Sequence, residues 1–257
     1  MKVIILAGGY GSRLSEETNL KPKPLLEIGE KPIIWHIMKL YSHYGFNDFV
    51  ICLGYKGYLI KQYFQNFLLH QNNIQINLKE NKLSIIGKNI SEPWNIQLID
   101  TGLKSQTGLR IKKALKYIHE DTFMLTYGDG VADINIKKLL KHHKLSKKLA
   151  TITAVKPPGR FGALVTNKKI VSAFEEKPSG DGQLINGGFF VLSKKIENYI
   201  QKGNIVWEKQ PLENLAKNKE LSFFHHTGFW QPMDTLRDKN LLNDLWDSNK
   251  AKWKVWK

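Results

Sequence analysis

The chain has 257 residues, 42% of them hydrophobic, which is enough to bury a sizeable core and excludes a disordered chain. No apolar run approaches the ~20 residues that cross a bilayer, and the single cysteine, Cys52, excludes an intramolecular disulfide. The formal charge of +16 comes from scattered lysines, with no arginine-rich arm and no helix-turn-helix, zinc-finger or RNA-recognition pattern. It predicts a solvated basic surface that attracts anionic small molecules, with neither nucleic acid nor membrane as a partner.

The first element is Lys2-Val3-Ile4-Ile5-Leu6, a short β-branched run that reads as a buried strand. It empties into Leu6-Ala7-Gly8-Gly9-Tyr10-Gly11-Ser12-Arg13-Leu14, followed by Lys21-Pro22-Lys23-Pro24-Leu25-Leu26. Glycines let backbone N–H groups close around an anion. Arg13 adds a planar donor fork for phosphate, and Lys23 a compact charge stiffened by two prolines. A dinucleotide fingerprint would need a glycine where Leu14 stands, and a P-loop would need Gly-Lys-Ser/Thr. An ordinary glycine turn is the competing reading; Arg13, Lys23 and both prolines together weigh against it.

Residues 32–44 read as a helix with Ile34, Ile37, Met38 and Tyr41 on one face. A strand over 48–53, with Cys52 as an inert buried thiol, and a helix over 56–69 follow. Two short strands, 75–79 and 82–86, form an excursion. The rhythm resumes with a strand at 96–100, a helix at 107–118, a strand at 122–126, a helix at 134–144 and a strand at 150–155. This alternation predicts an α/β fold with a mostly parallel sheet and helical crossovers. From Pro157 the composition changes, with short strands at 164–165 and 170–175 and a longer one at 185–192. Helices at 195–200 and 206–216, a strand at 221–226, a turn at 230–234 and a helix at 235–246 complete the chain. The tail Trp253-Lys254-Val255-Trp256-Lys257 is apolar and basic, suited to pack on the body or on a neighbouring subunit. No linker or repeat interrupts the chain, so 1–257 is expected to be one domain. Its nucleotide-binding half would be about 1–156 and its sugar-phosphate half about 157–257.

Asp129 follows a strand, between Gly128 and Gly130, where α/β sheets bind their ligands. A carboxylate there is either a magnesium ligand or the clamp of a turn. Asp133 is expected to cap the following helix, and Asp234 by itself reads as a helix N-cap. Glu176-Lys177-Pro178 offers a lysine beside two acids at the end of a strand and by itself reads as a surface ion pair. The eight histidines show no metal-ligand spacing, and His36 and His43 are expected to pack or face solvent.

The opening motif Leu-Ala-Gly-Gly-x-Gly-Ser-Arg-Leu with Lys-Pro-x-Pro resembles that of the sugar nucleotidyltransferases. Tyr127-Gly128-Asp129-Gly130-Val131-Ala132-Asp133 and Pro157-Pro158-Gly159-Arg160-Phe161-Gly162 resemble the cytidylyltransferase branch of that family, along nearly the whole chain. The resemblance implies a doubly wound, mostly parallel, Rossmann-like mixed sheet with small β excursions. It implies Mg²⁺ held by Asp129 and Asp234, and a nucleotide held by Leu6, Ala7, Gly8, Gly9, Tyr10, Gly11, Ser12, Arg13, Lys23, Thr107, Arg110 and Gly128. Glu176, Lys177, Asn186, Gly187 and Gly188 would hold the sugar 1-phosphate. Arg13 would take the leaving pyrophosphate, Lys23 the α-phosphate and Lys177 the attacking phosphate. The implied reaction joins CTP and α-D-glucose 1-phosphate to give CDP-glucose and pyrophosphate, for deoxysugar and surface-polysaccharide precursors. It would occur in a cytoplasmic homo-oligomer, a hexamer by resemblance. One departure is Leu109, where the family has glycine. Another nucleotide or phosphorylated acceptor, or a catalytically inactive homologue, are the alternatives.

Overall fold

A computed structural model describes residues 1–89, 91–157, 163–167, 170–175 and 183–256. Among these, seven strands form one sheet: β1 (Lys2–Leu6), β2 (Asp48–Leu53), β3 (Asn95–Asp100), β4 (Thr122–Tyr127), β5 (Ala150–Val155), β6 (Ile185–Ser193) and β7 (Leu221–His226). Their order is β7-β5-β6-β4-β1-β2-β3. β1 pairs in parallel with β2 and β4, β2 with β3, and β5 with β7. β6 runs antiparallel between β4 and β5 and supplies the mixed character. The predicted α/β class holds, with a mostly parallel sheet and small paired excursions such as Ile74–Asn77 with Lys82–Ile85.

Both faces of the sheet are covered, which is why β1 and β2 read as continuous apolar runs and not as alternating ones. Val3, Ile5, Phe49, Ile51, Met124 and Phe189 belong to one core, together with helix α1 (Ile33–His43). Ile4, Val50, Cys52, Phe123, Leu125 and Phe190 belong to the other, with Ile111 and Leu215. Those two residues lie on helices Thr107–Ala114 and Gln210–Lys217. Cys52 is buried as expected, and burial pushes its thiol up to about 12. No helix among the described residues is long and apolar enough to cross a membrane.

Several expected boundaries move for identifiable reasons. The 56–69 helix breaks at Asn66 into Gly57–Gln65 and Phe67–Gln71. The 206–216 helix starts only at Gln210, with Pro211 in its first turn, because Trp207 leaves the helical path to bury fully in the core. The 195–200 segment is a 3₁₀ turn, Lys194–Tyr199. The helix expected from 134 begins at Ile136 and is capped by Asn135, whose side chain accepts from the Lys138 amide at 2.9 Å. Asp133 is therefore not that cap; it lies 3.0 Å from His226 Nε2.

Helix α1 is buried nearly all round, because the C-terminal tail covers the side that the sheet does not. Trp256 meets Trp35 edge-on at 5.7 Å, and Trp246 meets His36 at 4.7 Å. Of the two places open to it, the tail takes the body of its own chain. The His36 ring is locked as the neutral tautomer: Nε2–H donates to the Ile28 carbonyl at 2.9 Å, and Nδ1 accepts from Trp253 Nε1–H at 3.3 Å. Burial lowers its pKa to about 4, and burial likewise lowers that of His143 to about 4. Below the unfolded histidine pKa of ~6.5 the unfolded chain takes up a proton that the folded chain refuses. Stability is therefore full above pH 6.5 and falls as the pH drops towards 4, by about 3 kcal/mol for His36 alone. Urea unfolding from pH 7.5 to 4.5 should show this fall, and His36→Gln should flatten its slope by close to one proton; an unchanged slope would remove His36 as its source.

Candidate active site

The chain makes a topological switch at β1. It proceeds to β2 and β3 on one side and returns to β4 on the other, which opens a crevice at the carboxyl ends of β1 and β4. The glycine-rich loop leaves β1 into this crevice, and Gly128-Asp129 leaves β4 beside it, with Gly128 N–H donating to the Leu6 carbonyl at 3.0 Å. The loop is held from below by Arg110, whose buried guanidinium donates to the carbonyls of Gly8 (2.9 Å), Leu53 (2.9 Å) and Leu103 (3.3 Å) and to Thr101 Oγ1 (2.6 Å). A Cβ at Gly8 would lie 2.2 Å from Arg110 Nη1, so this close approach requires glycine.

Asp234 is brought opposite Asp129 by a two-stranded ribbon, Gly130–Ala132 against Trp230–Pro232, and by the Met233 amide, which donates to the Asp129 carbonyl at 2.8 Å. Thr235, not Asp234, caps the last helix, Leu236–Asp247, in a reciprocal capping box with Asp238. Asp238 Oδ2 also accepts from the Asp234 amide at 3.1 Å, fixing its backbone. Lys23 sits in a one-turn 3₁₀ helix, Lys23–Leu25, set up by Pro22 and Pro24. Its ammonium donates to Asp129 Oδ2 at 2.8 Å and to Asp234 Oδ1 at 2.7 Å, while Arg13 Nη1 donates to Asp234 Oδ2 at 3.0 Å. Burial alone would lower the Lys23 pKa, but Asp129 and Asp234 outweigh it and raise it, so the residue stays charged.

Two cavities meet here. The first, about 500 Å³, is lined by all the residues expected to hold a nucleotide: Leu6 to Arg13, Lys23, Thr107, Arg110 and Gly128. The second, about 420 Å³, is lined by Asn186, Gly187 and Gly188 of the expected sugar-phosphate set, with Trp230, whose Nε1–H donates to the Gly187 carbonyl at 2.8 Å. Gly188 has φ +78°, and a Cβ there would meet the Tyr127 ring at 2.7 Å. Arg13, Tyr127, Asp129 and Asp234 line both cavities, so the two carboxylates stand at the junction. Glu176, Lys177 and Arg160 lie outside the described residues.

The two carboxylates present one oxygen each to a single cationic centre, here the Lys23 ammonium, and both ligands would be hard oxygens. That donor set fits Mg²⁺, which takes one or two carboxylates and completes its shell with phosphates and water. No group of three or more His, Cys, Asp or Glu among the described residues offers a rival metal site. Sequence reasoning missed Tyr127 as a lining residue, although it adjoins the Gly-Asp pair, and missed Glu208, which stands in no recognisable pattern. Leu109 is half-buried on the helix Thr107–Ala114 and does not line the first cavity; its amide approaches the Ile205 carbonyl at 3.3 Å.

The family model for nucleotidyl transferases matches residues 2–229. The chain is 54% identical over 257 residues to a glucose-1-phosphate cytidylyltransferase of Salmonella typhimurium, with 100% of both chains covered. It is 44% identical, again over 100% of both, to a protein of Bacillus subtilis described as a probable glucose-1-phosphate cytidylyltransferase. Among solved structures, UDP-glucose pyrophosphorylase complexed with UDP-glucose shares the fold, with a TM-score of 0.70 at 17% identity, covering 96% of this chain and 98% of that one.

The contact between Gly8 and Arg110 makes a direct expectation. Gly8→Ala should break hydrogen bonds of the buried guanidinium and destabilise the protein by about 1–3 kcal/mol. Urea unfolding checks it, and a stability equal to that of the parent would mean that the guanidinium does not pin the loop.

Proposed function

The chain belongs to the nucleotidyl transferase family, and from that premise we propose that it transfers a cytidylyl group from CTP to α-D-glucose 1-phosphate, giving CDP-glucose and pyrophosphate. The observation that carries the reading is the placement of Asp129 and Asp234 where two cavities meet. A reaction between two phosphates needs one charge-neutralising point shared by both substrates. Cytidine and glucose 1-phosphate, as the particular substrates, draw their support from the full-length identity to the cytidylyltransferases.

The attacking atom is an oxygen of the sugar phosphate. With a second pKa of ~6 it is largely ionised at neutral pH, so no general base is required. The protein's work is to position an in-line displacement at the α-phosphorus and to neutralise charge there. Asp129 and Asp234 would hold Mg²⁺, which when bound supplies charge neutralisation between the phosphates. Lys23, released from the carboxylates, binds the α-phosphate, and Arg13 at the mouth of the first cavity takes the departing pyrophosphate. The backbone amides of residues 8–13 receive phosphate oxygens. Lys177 completes the set on the attacking phosphate. A cytoplasmic homo-oligomer making polysaccharide precursors belongs to the same reading. Assembly draws no support from the tail, because Trp253 and Trp256 are buried in their own chain.

Pyrophosphate release across a panel of nucleoside triphosphates and sugar 1-phosphates tests the reading, with CTP and glucose 1-phosphate expected to be the best pair. Asp129→Asn and Asp234→Asn should each lower turnover by at least ~100-fold. Near-parental kinetics in either variant would remove that residue from the metal site. Because Leu109 lies outside the cavity wall, Leu109→Gly should leave the CTP-over-UTP ratio of kcat/KM unchanged; a rise in that ratio would return Leu109 to the base-binding surface.

A further inference from the structure

An unbroken polar chain runs from one cavity to the other through Glu208, which no motif marks. Tyr127, the last residue of β4, lines both cavities. Its hydroxyl donates to Glu208 Oε1 and accepts from Asn186 Nδ2–H at 3.0 Å. The orientation of Asn186 is fixed in turn, because its Oδ1 accepts from the Gly188 amide at 2.8 Å. On the other side, Glu208 Oε2 accepts from Thr107 Oγ1–H at 2.6 Å, and Thr107 Oγ1 accepts from the Trp207 amide at 2.8 Å. Every hydroxyl proton in the chain has a single direction. Tyr127 and Thr107 both donate into an acceptor-only carboxylate, which an amide could not reproduce without reversing one bond.

Two further facts separate this from a structural strut. The segment bearing Glu208 is already anchored without it: Asn204 Oδ1 accepts from the Gln106 amide at 2.7 Å, Ile205 O from the Gly108 amide at 2.8 Å, and Trp207 is fully buried. Moreover, Glu208 places a negative charge on the wall of a cavity built to take polyanions, and that works against binding unless the group is used.

We propose that Glu208 is a positioning residue that couples the two cavities, holding Thr107 on the nucleotide side and Tyr127 with Asn186 on the sugar-phosphate side, so that filling one orders the other. The proposal rests on the functional reading given above. A nucleotide that settles Thr107 fixes Glu208, which fixes the Tyr127 hydroxyl and hence the amide of Asn186 that faces the sugar-phosphate cavity. Such coupling through one shared element is reciprocal between the two ligands.

Calorimetry tests it. Glucose 1-phosphate is titrated with Mg²⁺ into parent, Glu208→Gln and Tyr127→Phe proteins, each free and then saturated with a CTP analogue carrying a methylene between the α- and β-phosphorus. Saturation should tighten the sugar phosphate about tenfold in the parent and by less than twofold in either variant, with melting temperatures close to the parent's. An untightened parent overturns the proposal. So do variants that keep the tightening, or that weaken both ligands equally while melting early, as a strut would. A parent that releases no pyrophosphate with any substrate pair fails the functional reading. A parent that turns over and shows no coupling fails this proposal alone, and if another pair is turned over the titration is run on that pair.

Discussion

The ammonium of Lys23 between Asp129 and Asp234 is the contact on which the site depends. Two carboxylates brought together without a cation repel, and at partial burial that repulsion is poorly screened. The ribbon that carries Asp234 and the strand end that carries Asp129 can approach only because a positive charge lies between them at 2.7 and 2.8 Å. The prolines flanking Lys23 matter for the same reason: they deliver the charge on a stiff segment. In the function proposed above, a divalent ion would take the point that the ammonium holds, and substrate phosphate would become the ammonium's partner.

The remaining architecture serves that point in layers. The switch of direction at β1 sets the glycine loop and Gly128-Asp129 side by side. Arg110 fixes the loop from beneath, and Asp238 fixes the backbone of Asp234 from behind. Neither supporting residue is at the junction of the cavities, yet each governs the position of one that is. The helix that carries Arg110 starts with Thr107, so the loop and the Glu208 chain share one rigid element.

Much of this was legible in the sequence because the signals were local. A β-branched run followed by glycines, and an aspartate between glycines at a strand end, each announce their geometry within a few residues. The meeting of Asp129 with Asp234 was implied by the family resemblance alone, and the strand order, with β6 antiparallel between β4 and β5, was not legible in the alternation of elements. What stayed hidden depends on distant partners. Arg110 was expected among the nucleotide-holding residues by resemblance, and only the fold shows its guanidinium spent on four oxygen acceptors, three of them main-chain carbonyls. Asp133 and Asn135 are both good caps, and the choice fell to Asn135 because His226, 93 residues on, faces Asp133. Glu208 has no local signature at all; its meaning lies in hydrogen bonds to residues 81 and 101 positions away.

The antiparallel strand β6 also determines when the molecule can exist. β5 pairs only with β6 and β7 among the described strands, so a chain synthesised as far as residue 156 holds β5 with no neighbour on either edge. The free edge of β4 that should receive β6 is open over the same interval. Such edges template pairing with other chains. Closure waits until residues 185–193 insert as a wedge, a contact of long sequence separation whose loop-closure entropy slows folding. The two halves that the composition suggests are therefore not folding units: the second half supplies the keystone of the first, and the protein passes through most of its synthesis as an unfinished sheet.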